Sequence, residues 1–158
     1  MGKSLPVPAP FREGRGDGRR AVRHAGGMDP AGGASAAFSP PFADHLRHPR
    51  NAGTLAPASV THRGACDDPA CGDRLTLDLH VEDGVVRESR FRVEGCVGAI
   101  ACGSALTTLL AGRAALPDAV TAGEIEAALG GVPSAKRHAL RLAIATWRAA
   151  LAGPVHRT

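Results

Sequence analysis

Between Arg74 and Val81 the side chains alternate without a break, with Leu75, Leu77, Leu79 and Val81 on one side and Thr76, Asp78 and His80 on the other. A two-residue period of this kind describes a strand with one apolar face and one wet face, and the apolar face needs a second layer to cover it. Asp83-Gly84 turns the chain back into a second strand, Val85 to Val93. Strict two-residue closure sets Arg92 and Arg90 opposite Leu75 and Leu77 on the buried face. A shift of one residue brings Phe91 and Val93 there instead, which predicts a bulged, longer hairpin loop. A short edge strand is expected at Val60-Thr61-His62.

Beyond the strands the apolar period becomes helical. Val97 to Ala111 carries Ile100, Leu106, Leu109 and Leu110 and ends at Gly112. Thr121-Ala122-Gly123-Glu124 reads as a capping box opening a short helix through Leu129, closed by Gly130-Gly131. Ser134 is placed to cap a long helix whose stripe is Leu140, Ala143, Ile144, Trp147 and Leu151, ended by Gly153-Pro154. A further short helix, Phe42 to Arg47, is stopped by Pro49. Strands followed by helices imply an α+β domain, a small antiparallel sheet of about three strands with helices packed on one face.

That domain is expected over residues 41–153, with a tail over 154–158. Residues 1–40 are rich in Gly, Pro, Ala and Arg without an apolar period, and disorder is expected there. Met28 offers an alternative start, and Glu13 and Asp17 among the glycines argue against an organelle address. The formal charge of +4 is concentrated in the same segment, where six basic side chains face three acidic ones. The rest of the chain is nearly neutral, and only four Phe, one Trp and no Tyr offer faces for base stacking, so nucleic-acid binding is not expected. No run approaches the ~20 apolar residues of a membrane span, and a cytoplasmic location is the default expectation. In such a compartment Cys66, Cys71, Cys96 and Cys102 favour metal or thiol chemistry over two disulfides.

In Cys71-Gly72-Asp73, glycine between the two donors lets a thiolate and a carboxylate turn toward one ion; a loop cysteine filling a small buried space is the plainer alternative. Cys96 follows Glu94-Gly95 where the second strand gives way to a helix, and unpaired amides there are expected to stabilise its thiolate; an inert cysteine filling a tight strand-to-helix corner is the plainer alternative. Cys102 shares the stripe of Leu106, Leu109 and Leu110 and is turned about 120° from Cys96 at 3.6 residues per turn, which reads as core. Cys66, five residues before Cys71, is expected in the same flexible loop, as a second-rank ligand or a resolving thiol. His138, in the first turn of the last helix, has the imidazole to complete a tetrahedral site with two thiolates and Asp73, against the plainer reading of a solvated helical histidine. His45, His48, His62 and His80 lack a partner pattern. Phosphate loops, nucleophilic triads and paired catalytic carboxylates are absent from the pattern, and no enzymatic activity is expected.

Taken in order, four segments resemble the NifU/IscU family of iron-sulfur cluster scaffold proteins. His48-Pro49-Arg50-Asn51-Ala52-Gly53 resembles the family's Asn-Pro-Arg-Asn-x-Gly opening, Ala70-Cys71-Gly72-Asp73 its first cysteine motif, and Gly95-Cys96-Val97-Gly98-Ala99-Ile100 its second. Val132-Pro133-Ser134-Ala135-Lys136-Arg137-His138 resembles the family's Leu-Pro-Pro-Val-Lys-x-His segment. The resemblance spans about residues 42–152. It implies a transient 2Fe-2S cluster built from iron, sulfur from a cysteine desulfurase, and transfer to recipient iron-sulfur apoproteins. It also implies an Hsp70-type chaperone docking near Val132 to Lys136, and zinc as an alternative occupant of the pocket. By the same resemblance Cys71 and Cys96 are two of three cluster cysteines, Asp73 the residue that keeps the cluster labile and His138 a further ligand. The family's third cysteine directly follows that histidine, where this chain has Ala139. Cys66 or Cys102 is then the available substitute, and the helical-face argument favours Cys66. Two other roles fit the same residues: a zinc-bound sulfur relay for the desulfurase, and an adaptor that binds protein partners without metal.

Overall fold

The computed structural model describes residues 38–154. The segment expected to be disordered, 1–40, lies outside the described residues except for its last three positions, as do residues 155–158 of the tail. Order is present before Pro41. Phe38 stacks on the buried Phe42 with ring centroids 4.6 Å apart, and Ser39 caps helix α1, Pro40–Arg47, by accepting the Phe42 N–H at 3.2 Å. A 3-10 turn, Pro57–Ser59, leads into the sheet.

Strands β1 (His62–Asp68), β2 (Asp73–Glu82) and β3 (Val85–Glu94) form one antiparallel sheet in the order β1-β2-β3. The hairpin between β2 and β3 has the expected register but reaches it differently. Its loop is the tight two-residue kind, with Asp83 and Gly84 at φ 53° and 71°, and the compensating bulge lies inside the ladder between His80 and Val81. Leu75 and Leu77 thereby face Val93 and Phe91. A bulge twists the strand and keeps every other ladder bond, whereas a longer loop forfeits the left-handed turn that Asp-Gly favours.

The edge strand is longer and later than expected: of Val60-Thr61-His62 only His62 belongs to it, and β1 runs on through Cys66 to Asp68. Cys66 is therefore on a strand, paired with Leu75, and not in a flexible loop. The run His-Arg-Gly-Ala-Cys-Asp-Asp has little strand propensity of its own; pairing with β2 and contact with a helix impose it. The polar face of β2 is also less wet than its sequence suggests. Asp78 is 1% exposed, because Arg63 pairs with it and the Leu55 N–H points at it from the segment crossing that face.

The other face carries the helices. Helix α2 (Val97–Leu110) lies over β3, and α4 (His138–Ala152) lies over β1 and β2. Close approach needs glycine at two places: a Cβ on Gly103 of α2 would stand 2.5 Å from the Phe91 ring, and one on Gly64 of β1 would stand 2.3 Å from the Ala150 backbone nitrogen. Helix α3 (Ala122–Ala128) opens with the expected Thr121–Glu124 capping box. Ser134 does not cap the last helix. It begins a 3-10 turn, Ser134–Lys136, and α4 starts only at His138, because the Lys136 and Arg137 amides bond three residues back to Pro133 and Ser134. The buried side of α4 is accordingly Ala139, Leu140, Leu142, Ala143, Thr146, Trp147 and Ala150, with Ile144 and Leu151 at its margin. Gly64 lets the helix backbone at Thr146 and Ala150 lie directly against β1.

Candidate metal centre

Three element ends converge beyond the edge of the core. Asp73 is the first residue of β2, Cys96 is the N-cap of α2, and His138 is the first residue of α4. Their ligand atoms all lie within 4.8 Å of one another. The Cys96 N–H donates to Asp73 Oδ1 at 2.9 Å; His138 Nε2 stands 3.2 Å from Asp73 Oδ2 and 3.6 Å from Cys96 Sγ. Asp73 is only 2% exposed and fits because residue 95 is glycine. At φ 156°, a Cβ on Gly95 would stand 2.3 Å from Asp73 Oδ1.

The charge states are set by this packing. Burial pushes the Asp73 carboxyl up, but hydrogen bonds from the Cys96 thiol and amide, then from His138, outweigh it and leave the carboxyl below its ordinary value. For Cys96 the balance opposes the sequence expectation of a stabilised thiolate. Burial, then the neighbouring Asp73 carboxylate, push the thiol up; the Ala99 and Gly98 amides at the helix start pull it down and lose. Without a cation the group is therefore a carboxylate beside a thiol, and a cation that replaces the thiol proton relieves the opposition between them.

Cys71 stands apart from Cys96. It is exposed on the turn between β1 and β2, where Gly72 at φ 70° carries the chain outward, and it shares a second group with Asp68 and His138 whose ligand atoms also lie within 4.8 Å of one another. In place of one ring of four donors there are two triads joined at His138. Asp68 escaped the sequence reading. The available signal was that the turn closing β1 onto β2 pairs Asp68 with Asp73, which brings both carboxylates to the end of the sheet that carries Cys71. Cys66, half-buried, lines a groove with Asp68 and His138. Cys102 is fully buried in the core, as expected, and burial pushes its thiol up to about 12. Ala139 is buried against the start of α2, its Cβ 3.4 Å from where a Cβ on Gly98 would be; Lys136 lies over the same glycine.

This is a small α+β domain with a mixed sulfur, oxygen and nitrogen donor set where strand and helix ends meet. The model of the NifU-like N terminal domain matches residues 38–157, and the chain belongs to that family. It is 45% identical over 116 residues to the nitrogen fixation protein NifU of Cereibacter sphaeroides, a match covering 73% of this chain and 46% of the relative, so it spans about half that protein's length. It is 33% identical over 116 residues to the iron-sulfur cluster assembly scaffold protein IscU 1 of Archaeoglobus fulgidus, covering 72% of this chain and 74% of the relative. Among solved structures, a protein of Fervidobacterium islandicum AW-1 assigned as a scaffold for a SUF system superposes with a TM-score of 0.56 at 14% identity, over 75% of this chain and 98% of the other, which shows a shared fold. Among the described residues no helix is long and apolar enough to cross a membrane.

Proposed function

We propose that this chain is a non-enzymatic iron-sulfur cluster assembly scaffold that takes iron and sulfide as cargo on Cys71, Asp73, Cys96 and His138. It holds a transient 2Fe-2S cluster and passes it to recipient apoproteins. The observation that carries the reading is the meeting of Asp73, Cys96 and His138, from three segments far apart in sequence, in a member of the NifU-like family. Relatives named as scaffold proteins support it. Two thiolates, a carboxylate and an imidazole supply four donors, and a hard oxygen among soft sulfurs favours release over permanent binding. In this reading a cysteine desulfurase supplies the sulfur, and an Hsp70-type chaperone docks at Val132 to Lys136, beside the site.

The test is anaerobic reconstitution with Fe(II), cysteine, a desulfurase and a dithiol that reduces the desulfurase-bound persulfide to sulfide, while visible absorption is recorded; protein-bound persulfide is read in a parallel sample without the dithiol. A sulfur-to-iron charge-transfer band that disappears in Cys71→Ser and in Cys96→Ser supports the scaffold. Zinc that stays bound while one cysteine carries a persulfide points to sulfur relay, and a chain that takes up no metal under any condition is an adaptor.

A further inference from the structure

The two triads at His138 differ in access and in what already occupies their donors. In the inner one, both oxygens of the buried Asp73 face protein partners, Oδ1 taking the Cys96 N–H and Oδ2 facing His138 Nε2. An ion arriving there has to displace a contact. In the outer one Cys71 is exposed and Asp68 half-buried. The Asp68 carboxylate is oriented by its own turn, Oδ1 accepting the Ala70 N–H at 2.9 Å, and among the described residues it is in no ion pair; its neighbour Asp67, by contrast, is engaged by Arg74 at 3.0 Å. A groove of about 580 Å³ between β1 and α4, lined in part by Cys66, Asp68, His138 and Arg141, gives solvent a way in.

From this we infer that Asp68, Cys71 and His138 form an outer cation site that captures a divalent metal ion and hands it to Asp73 and Cys96 by ligand exchange around His138. A carboxylate, a thiolate and an imidazole suit a borderline ion of the Fe2+, Co2+ or Zn2+ class. During the exchange the ion keeps His138 and Cys71, gives up Asp68, and gains Asp73 and the Cys96 sulfur. Each thiol releases its proton to water as its sulfur takes the ion, and no electron moves. The inference deepens the scaffold reading and rests on it for the destination of the ion.

Stopped-flow mixing of the whole chain with Co2+ under anaerobic conditions reads the order of events, because each thiolate that joins cobalt adds charge-transfer intensity. The unaltered chain is expected to show a first phase with one thiolate and a second phase in which another joins. Asp68→Asn keeps the oxygen that accepts the Ala70 amide; it is expected to slow the first phase by about tenfold or more and to leave the final spectrum and affinity unchanged. Cys96→Ser is expected to keep the first phase and lose the second. Filling of Asp68→Asn at the unaltered rate overturns the outer site while leaving the scaffold reading intact. Equal loss of rate and final affinity makes Asp68 an ordinary ligand of a single site and also overturns it. Absence of any cobalt band in the unaltered chain overturns both readings together.

Discussion

The two cysteines that flank His138 stand on different kinds of ground. Cys96 is held by the framework: it caps α2 two residues after β3 ends, its amide is tied to a buried carboxylate, and the glycine before it is the only residue type that leaves room for that carboxylate. Cys71 hangs on an exposed turn in which a Cβ on Gly72 would meet nothing within 4 Å. One side of the centre is built before any ion arrives, and the other is free to follow it. In the proposed scaffold role a fixed wall and an adjustable one serve better than two fixed walls, because release then requires only the turn to move.

The same methyl group added on each side should separate the two walls most widely. Gly95→Ala forces a Cβ into Asp73 at a backbone angle that L residues avoid, and is expected to cost on the order of 3 kcal/mol and to lower metal affinity. Gly72→Ala meets no neighbour and is expected to cost only about 1 kcal/mol, for the left-handed backbone alone. Urea unfolding of the metal-free variants measures both. Equal costs at the two positions would mean that the Cys96 side is no more tightly built than the turn.

Removing the carboxylate is the next largest effect. Asp73→Asn leaves an amide in a buried position facing the Cys96 N–H, with an expected loss of about 1–2 kcal/mol. Its sharper consequence is at sulfur. Because the Asp73 carboxylate helps hold the Cys96 thiol above its ordinary value, replacing it with a neutral amide lowers that value, so Cys96 alkylates faster at a given pH near neutrality. Iodoacetamide rates followed against pH, with Cys66 and Cys71 replaced by serine to isolate the signal, give the direction. A Cys96 that titrates higher in Asp73→Asn than in its parent contradicts the electrostatic account.

The same contrast separates what could be read from the sequence. The alternation in β2 and the Thr121–Glu124 capping box are local patterns, and each produced the element it announced; Asp83-Gly84 reverses the chain as expected, but in a tight loop with the bulge inside the ladder, where a longer loop was expected. Strand β1 was only partly legible, since Gly64, Asp67 and Asp68 disfavour a strand and only the ladder with β2 and the close approach of α4 make one. The start of α4 was misplaced because Ser134 has the chemistry of a cap, while the preceding Val132-Pro133 leads into a 3-10 turn. At the centre, Asp73, Cys96 and His138 stand out by residue type and by position at element ends. The sign of the Cys96 shift was hidden, because the helix amides are neighbours in sequence while burial depends on the packing of distant segments and the opposing carboxylate comes from 23 residues away. Asp68 was hidden for a related reason: its place beside Cys71 and His138 depends on strand register and on where α4 begins.

Ala139→Cys tests the fixed side. Its side chain is packed at the start of α2 directly after His138, so a thiol there adds a donor to the wall that already carries Cys96. One sulfur in a well-packed space is expected to cost about 1 kcal/mol or somewhat more and to slow loss of bound metal to a chelator. Unchanged chelator kinetics would mean that the added sulfur does not reach the ion.

The smallest stability effect is expected at Cys71. An exposed side chain on a turn, in no hydrogen bond or ion pair among the described residues, contributes nothing that serine cannot replace, so Cys71→Ser should unfold within about 0.5 kcal/mol of the unaltered chain when metal is absent. With metal present the two should separate, because an ion bound to the native state alone adds stability in proportion to the logarithm of its concentration over its dissociation constant, and in the variant the proposed site lacks one of its sulfurs. Unfolding midpoints with and without Zn2+ therefore divide the roles of this residue: near-coincidence without metal and a gap with it mean that Cys71 acts only through the ion. A gap that is already full-sized in the metal-free proteins would place Cys71 on the same structural footing as Cys96 and erase the distinction between the two walls.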